Sequence, residues 1–259
     1  MDRSHVEHNE RILNQFTLQA VPFARAISHS AEESLRLLLE TAQVRASDEV
    51  LDLACGPGIV SCAFAAAARH VTGMDLVPAM IDQARVLQAE KGLSNLDWRL
   101  GDVTELPFPD GRFDLVVTRY SFHHLMDPGA VLREMARVCR PGGRVVVNDV
   151  TPEPEKGAAY DEMEVLRDPS HARALPLPEL LALGSALGLT ELGRAFYRLD
   201  TSVDALLGAS FPSPGNADKL RALVQADVGV DRLSIQAYEL NGELHFGFPC
   251  SVVAWRKPL

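Results

Sequence analysis

From residue 48 to residue 150 this chain alternates between two hydrophobic periods, and that alternation limits its fold more than any other feature. Glu49–Leu53, His70–Asp75, Leu96–Leu100, Phe113–Thr118 and Arg144–Val150 read as strands. Ile59–Ala68, Pro78–Lys91 and Pro128–Cys139 read as helices; proline opens the second, Gly92 stops it, and Arg-Pro-Gly-Gly closes the third. Such units make right-handed crossovers, hence a parallel sheet with helices on both faces. The near-continuous Val and Leu of the strands fits burial on both sides.

The flanks are less regular. Residues 1–40 hold at least one helix, with Ala31–Glu40 strongly patterned, and residues 1–44 are expected to form an N-terminal helical cap on a core spanning 45–150. Residues 151–175 mix prolines and charges, Leu177–Leu187 is helical, and 201–230 reads as short helices broken by Phe-Pro-Ser-Pro-Gly. Ser251–Arg256 reads as a last strand, so 151–259 is expected to supply a lid and complete the core sheet. A net charge of −10 with no basic run argues against nucleic acid as a partner. The longest apolar run, Cys62–Ala68, is too short to span a membrane, and the polar N-terminus is unlike a leader. Cys55, Cys62, Cys139 and Cys250 show no Cys-x-x-Cys spacing, and the scattered histidines show no metal-ligand spacing. The expectation is a cytoplasmic protein with reduced thiols and no metal, a monomer or homodimer.

The chemistry concentrates at the strand ends. Val50-Leu-Asp-Leu-Ala-Cys-Gly-Pro-Gly58 runs from a strand into a glycine turn that exposes backbone N–H groups to a ligand. A dinucleotide fingerprint wants a third glycine where Ser61 stands, and Asp52 would repel a pyrophosphate. A ligand with an ammonium group and no phosphate fits better, and S-adenosylmethionine (SAM) is one. Asp75 ends the second strand, 75 − 52 = 23 residues after Asp52, where it can accept from ribose hydroxyls. Asp102 and the Val103 N–H follow the third strand and suit an adenine edge. Arg119-Tyr-Ser-Phe-His-His124 leaves the fourth. Singly, a glycine turn is a structural loop and a strand-end Asp is a helix cap. Jointly, four such signals on the binding edge of an open α/β sheet mark a site.

Those stretches, with Gly73-Met-Asp75, Gly101-Asp-Val-Thr-Glu-Leu-Pro-Phe108, Phe113-Asp-Leu-Val-Val117 and Arg140-Pro-Gly-Gly-Arg-Val-Val-Val147, resemble class I SAM-dependent methyltransferases. The nearest group is the small-molecule enzymes similar to the ubiquinone and menaquinone methyltransferases. The resemblance implies a Rossmann-like α/β fold with a mostly parallel seven-stranded sheet. It also implies SAM as cofactor, held by Asp52, Ala54, Cys55, Gly56, Gly58, Asp75, Leu76, Met80, Asp102, Val103 and Arg119. Two positions depart from the family pattern: Ala54 stands at its usual first glycine, and Arg119 where many relatives carry a small or amide residue.

Methyl transfer from an activated donor needs alignment, desolvation and, for some acceptors, removal of a proton. Candidate bases are His124 and His123, with Tyr120 nearby; alternatively one histidine packs or caps the following helix. His171, in Arg167-Asp-Pro-Ser-His171, falls where this fold builds a substrate lid, though Asp168-Pro-Ser also reads as a turn. Gln15-Phe16 through Pro22-Phe23-Ala24 reads either as an N-terminal lid or as cap core. The expected activity is methylation of an oxygen or carbon nucleophile on a small organic acceptor: a phenol, quinone precursor or natural-product intermediate. The alternatives are a SAM-binding protein that catalyses a non-methylating reaction, a non-catalytic module, and a nicotinamide dehydrogenase.

Overall fold

The computed structural model describes residues 3–25 and 29–259, with side chains described at 4–21 and 32–259. Two helices, α1 (Arg3–Arg25) and α2 (His29–Ala42), precede the core. The core then runs β1 (Glu49–Leu53), α3 (Ile59–Ala65), β2 (His70–Asp75), α4 (Pro78–Glu90), β3 (Leu96–Leu100), β4 (Phe113–Arg119), α5 (Pro128–Val138) and β5 (Cys139–Val150). After it come α6 (Gly157–Arg167), α7 (Leu177–Ala186), β6 (Thr190–Ser202), α8 (Val203–Ser210), α9 (Asn216–Asp227), β7 (Tyr238–Leu240) and β8 (Glu243–Arg256).

The strands lie in the order β3-β2-β1-β4-β5-β8-β6. From β3 to β5 every pairing is parallel, and β8 enters antiparallel between β5 and β6. Seven strands on this path match the expected fold; β7, pairing only with the start of β8, is an eighth among the described residues.

Period-two alternation divides the strand side chains between two cores. On one face Leu51, Leu53, Val145, Val147, Val253 and Trp255 pack with Val131, Leu132 and Met135 of α5 and Leu180 of α7. On the other, Val50, Val146, Val252 and Ala254 meet Leu38 of α2 and Val60 and Phe64 of α3. Burial on both faces explains why these strands are uniformly apolar. Gly73 in β2 is a packing requirement, because any Cβ there would collide with the Trp98 ring of neighbouring β3.

Three elements differ from the sequence expectation. Gly157–Arg167 is helical despite its charges, because Tyr160 and Met163 bury one face among Val203, Leu220 and Phe246. β6 was not anticipated: it is an outer strand whose residues are at most half-buried, so it lacks the apolar run of the inner strands. β8 begins at Glu243 rather than Ser251, passing through Gly247 and Pro249 while it pairs with β6.

The cap is tied to the sheet by a buried ion pair. Arg144 of β5 reaches Asp48, just before β1, at 2.7 Å, and both side chains are almost wholly excluded from solvent. The same guanidinium donates to the carbonyls of Ala42 and Gln43 at the end of α2. Removing one partner strands a buried charge, so Asp48→Ala is expected to lower the unfolding free energy by about 3–5 kcal/mol. Urea denaturation measures this, and a loss below about 1 kcal/mol contradicts it.

Candidate active site

The carboxyl end of β1 runs into α3 through a turn of unusual backbone beside the end of β2. Ala54, Gly56 and Gly58 all have positive φ, at 51°, 53° and 82°. The turn holds because Asp75 spans it: Oδ2 accepts the Gly56 N–H at 2.8 Å, and Oδ1 accepts the Val77 N–H at 2.9 Å ahead of α4. A Cβ on Gly56 would meet nothing within 4 Å, so its backbone faces open space. Gly58 differs, since a Cβ there would press into Ala84 of α4 and Trp98.

That open space is a cleft of about 1180 Å³, its mouth included. Asp52, Asp75 and Asp102 reach it from one side, with Ala54, Cys55, Leu76, Met80 and Val103 between them, and Arg119, Tyr120 and His124 come from the loop after β4. Helix α1 adds His5, His8, Asn9, Ile12 and Phe16 to the lining. Asn9 donates its amide N–H to Asp102 Oδ2 at 2.8 Å, while Thr104 occupies Oδ1 through its N–H and hydroxyl. His8 donates Nε2–H to the His124 carbonyl at 2.6 Å. Gln15 and Gln19 donate to the Ser210 carbonyl at the end of α8. Ile12, Leu13 and Phe16 pack on Val77 and Met80.

The carboxylates stand in a dry wall. Burial lifts Asp52 from its ordinary 3.8 to about 7; the Ser61 hydroxyl bond (2.5 Å) opposes this, and the Asp75 charge adds to it. Burial also raises Asp75, against the pull of the Val77, Gly56 and Leu76 N–H groups.

Beyond β4 the loop is organised by Asp149 at the end of β5. Its Oδ2 accepts the Phe122 N–H, and its Oδ1 meets His123 Nδ1 at 2.6 Å. Burial pulls the His123 imidazole down, but the Asp149 charge and hydrogen bond leave it above its ordinary value. His124 is the opposite case. Burial, then the His123 charge, lower it to about 3. Its Nδ1 lies 3.0 Å from the Ser170 carbonyl, which can only accept. The proton therefore sits on Nδ1, and Nε2 is left as a neutral lone pair. The edge of Phe16 packs on this ring at 5.0 Å.

Residues 51–147 match the methyltransferase-domain family. That stretch of the core is similar to methyltransferase domains. The uncharacterised methyltransferase YcgJ of Bacillus subtilis is 37% identical over 156 residues, which cover 60% of this chain and 62% of YcgJ. Its crystal structure superposes with a TM-score of 0.79 at 27% identity, over 88% of this chain and 99% of that one. Demethylmenaquinone methyltransferase of Clavibacter sepedonicus is 35% identical over 109 residues, covering 42% of this chain and 44% of that enzyme. The cyclase SpnF shares the fold, with a TM-score of 0.66 at 22% identity over 88% of this chain and 81% of that one. The chain spans less than two thirds of the length of the curated relatives it matches first.

The cleft gathers Asp52, Ala54, Cys55, Gly56, Asp75, Leu76, Met80, Asp102, Val103, Arg119, Tyr120 and His124 from the positions singled out in the sequence. Gly58 is a correction: it packs against α4 and does not line the cleft. His123 is a second correction, turned away into its pair with Asp149. His171 is a third, buried against Asp161 at 2.7 Å and off the cleft wall. Tyr120 lines the cleft with its ring, but its hydroxyl lies 2.5 Å from Tyr197, which donates onward to Asn148. The Tyr120 proton is thus committed to Tyr197 and unavailable to a substrate. Phe16 serves both expected roles, lining the cleft and packing in the cap, while the Pro22-Phe23-Ala24 side chains lie outside the described residues. Sequence reasoning missed His5, His8 and Asn9, polar residues that read as an exposed helix face. It also missed Asp149, which the strand-end rule applied to β5 would have found.

The Asp52 shift has a definite sign. A folded value near 7 against an ordinary 3.8 means the folded protein holds this proton more tightly, so the contribution is full below pH 4 and lost as pH rises to 7. For one proton the slope is at most about 1.4 kcal/mol per pH unit. Asp52→Asn is expected to flatten that part of the ligand-free stability profile, measured by denaturant unfolding between pH 4 and 8. Superimposable profiles contradict the assignment.

Proposed function

We propose that this protein transfers a methyl group from SAM to an oxygen or carbon nucleophile of a small organic acceptor such as a phenol, quinone precursor or natural-product intermediate. The observation that carries this reading is convergence: three strand-end carboxylates and one neutral imidazole face a single, mostly apolar cleft. The residues fit the cofactor. The open backbone at Gly56 leaves room for close approach, the wall repels phosphate, and Asp52 suits an ammonium group. Asp75 would hold ribose hydroxyls, Asp102 and the Val103 N–H the adenine edge, and Leu76 and Met80 its apolar faces. When bound, SAM supplies an activated methyl on a cationic sulfur.

The chain's own residues do the remaining work. Helix α1 closes the cleft and excludes water, tied down by Asn9, His8, Gln15 and Gln19. His124 Nε2 offers a lone pair to the hydroxyl or acidic C–H of an acceptor. An imidazole lowered to about 3 is a weak base, so its contribution is chiefly to orient the nucleophile while accepting its hydrogen bond. Four free, buried cysteines suit a reducing cytoplasm, and no described helix is long and apolar enough to cross a membrane. We take the protein to act there as a monomer or homodimer, on a small molecule and not on nucleic acid.

The test is a screen of candidate acceptors with SAM, read by mass spectrometry. A product heavier by one methyl supports the proposal; conversion with no gain in mass contradicts it. His124→Ala is expected to lower turnover about a hundredfold, with cofactor affinity nearly unchanged. Because the imidazole is neutral throughout, the wild-type rate should show no His124 limb between pH 5 and 8. Full activity in the variant removes His124 from the reaction.

A further inference from the structure

An imidazole can accept a hydrogen bond from an acceptor molecule in only one of its two neutral tautomers, and the segment after α6 decides which one His124 adopts. Nδ1 faces two oxygens of a single residue, the Ser170 carbonyl at 3.0 Å and the Ser170 Oγ at 3.2 Å. The carbonyl can only accept, whereas a hydroxyl can accept or donate. Asp168 removes that freedom. Its Oδ1 accepts the Ser170 hydroxyl at 2.5 Å and the Ser170 N–H at 2.9 Å. With its proton turned to Asp168, Ser170 Oγ presents only lone pairs to the ring, so both oxygens require a proton on Nδ1.

The Asp-Pro-Ser turn expected from the sequence accounts for the bond to the Ser170 N–H, but it needs neither the hydroxyl bond nor the burial. Ser170 is wholly excluded from solvent and Asp168 almost so. Burial pushes the Asp168 carboxyl up, yet the neighbouring His124 and Arg167 and the two Ser170 donors hold it below its ordinary value, so it stands as an accepting carboxylate. Arg167 Nη1 lies 3.9 Å from Asp168 Oδ2 and is steadied by its 2.6 Å bond to Glu164, and Gln19 of α1 donates to the same Oδ2 at 3.5 Å. We propose that Asp168 is a positioning residue for His124: acting through Ser170, it holds the imidazole in the Nδ1–H form and leaves Nε2 to accept. This rests on the role given to His124 above. With the proton on Nε2 the ring would donate, so the device favours acceptors whose nucleophile carries a hydrogen to give.

Long-range proton–nitrogen NMR spectra of the isotope-labelled full chain at neutral pH read the tautomer directly, with His124→Gln assigning the ring. Wild type is expected to show one form, protonated at Nδ1 and bare at Nε2. Asp168→Ala frees the Ser170 hydroxyl to donate to Nδ1, and the single form should give way to a mixture containing Nε2–H. Removing the hydroxyl as well, in Asp168→Ala combined with Ser170→Ala, should restore the single form, since only the carbonyl then faces Nδ1. Asp168→Asn, which keeps an oxygen for both Ser170 donors, should resemble wild type. His123, held by Asp149, should keep its signature throughout and reports an intact fold. On an acceptor found by the mass-spectrometric screen, Asp168→Ala should lower kcat about tenfold or more with cofactor affinity nearly unchanged, the scale of a lost outer-shell partner. A single Nδ1–H form in Asp168→Ala, a mixture that persists in the double variant, or an Nε2–H form in Asp168→Asn overturns the proposal. Loss of the His123 signature together with that of His124 also overturns it, because Asp168 then supports the fold and not the ring. The tautomer is read without cofactor or acceptor, so a screen that yields no methylated product overturns the proposed function separately.

Discussion

One carboxylate holds the site together. By accepting N–H groups from both Gly56 and Val77, Asp75 joins the turn after β1 to the start of α4 and sets the gap between them. The turn needs this support, because Ala54 sits at φ 51°, a left-handed conformation that disfavours any residue with a Cβ. The wide, open Gly56 backbone and the spacing of the acidic wall follow from that clamp. Burial raises Asp75 and Asp52 because the wall is dry, and a dry wall makes each charge–ligand contact count for more than it would in water.

A second layer of polar contacts adds helix α1 to the lining of this half-site. Helix α1 has little apolar surface in the core, yet four of its side chains are bonded to distant parts of the chain: the turn after β3, the loop after β4 and the end of α8. The loop after β4 is itself held by Asp149 and by the His123 carbonyl, which accepts from the N–H groups of Ala172 and Arg173. Cap, loop and post-core segment thus share contacts around His124. That shared wiring explains why His124 keeps a fixed tautomer while His123, one residue earlier, is spent on structure.

The legible parts of this molecule were those where one physical rule acts alone. β1, β2, β4 and β5 are apolar because both faces are covered, and the acids at Asp52, Asp75 and Asp102 fall at the edge where such sheets bind ligands. β6 escaped notice because an outer strand carrying Glu191, Arg194, Arg198 and Asp200 looks like a surface segment. His5, His8 and Asn9 escaped because a polar stripe facing a cleft and one facing water have the same period. His123 and His171 were chemically plausible, but only the fold reveals that Asp149 and Asp161 had already claimed them. Gly58 belongs to the same motif as Gly56 yet works by packing, a distinction set by Ala84 and Trp98.

The central claim is that an acidic, apolar cleft at the ends of β1, β2 and β4 is built for a sulfonium nucleoside and refuses a pyrophosphate. Isothermal titration of the ligand-free protein with S-adenosylhomocysteine and with NAD tests it most directly. The account predicts saturable one-to-one uptake of the first and no detectable heat from the second. Binding of NAD, or no uptake of S-adenosylhomocysteine at millimolar concentration, would contradict it.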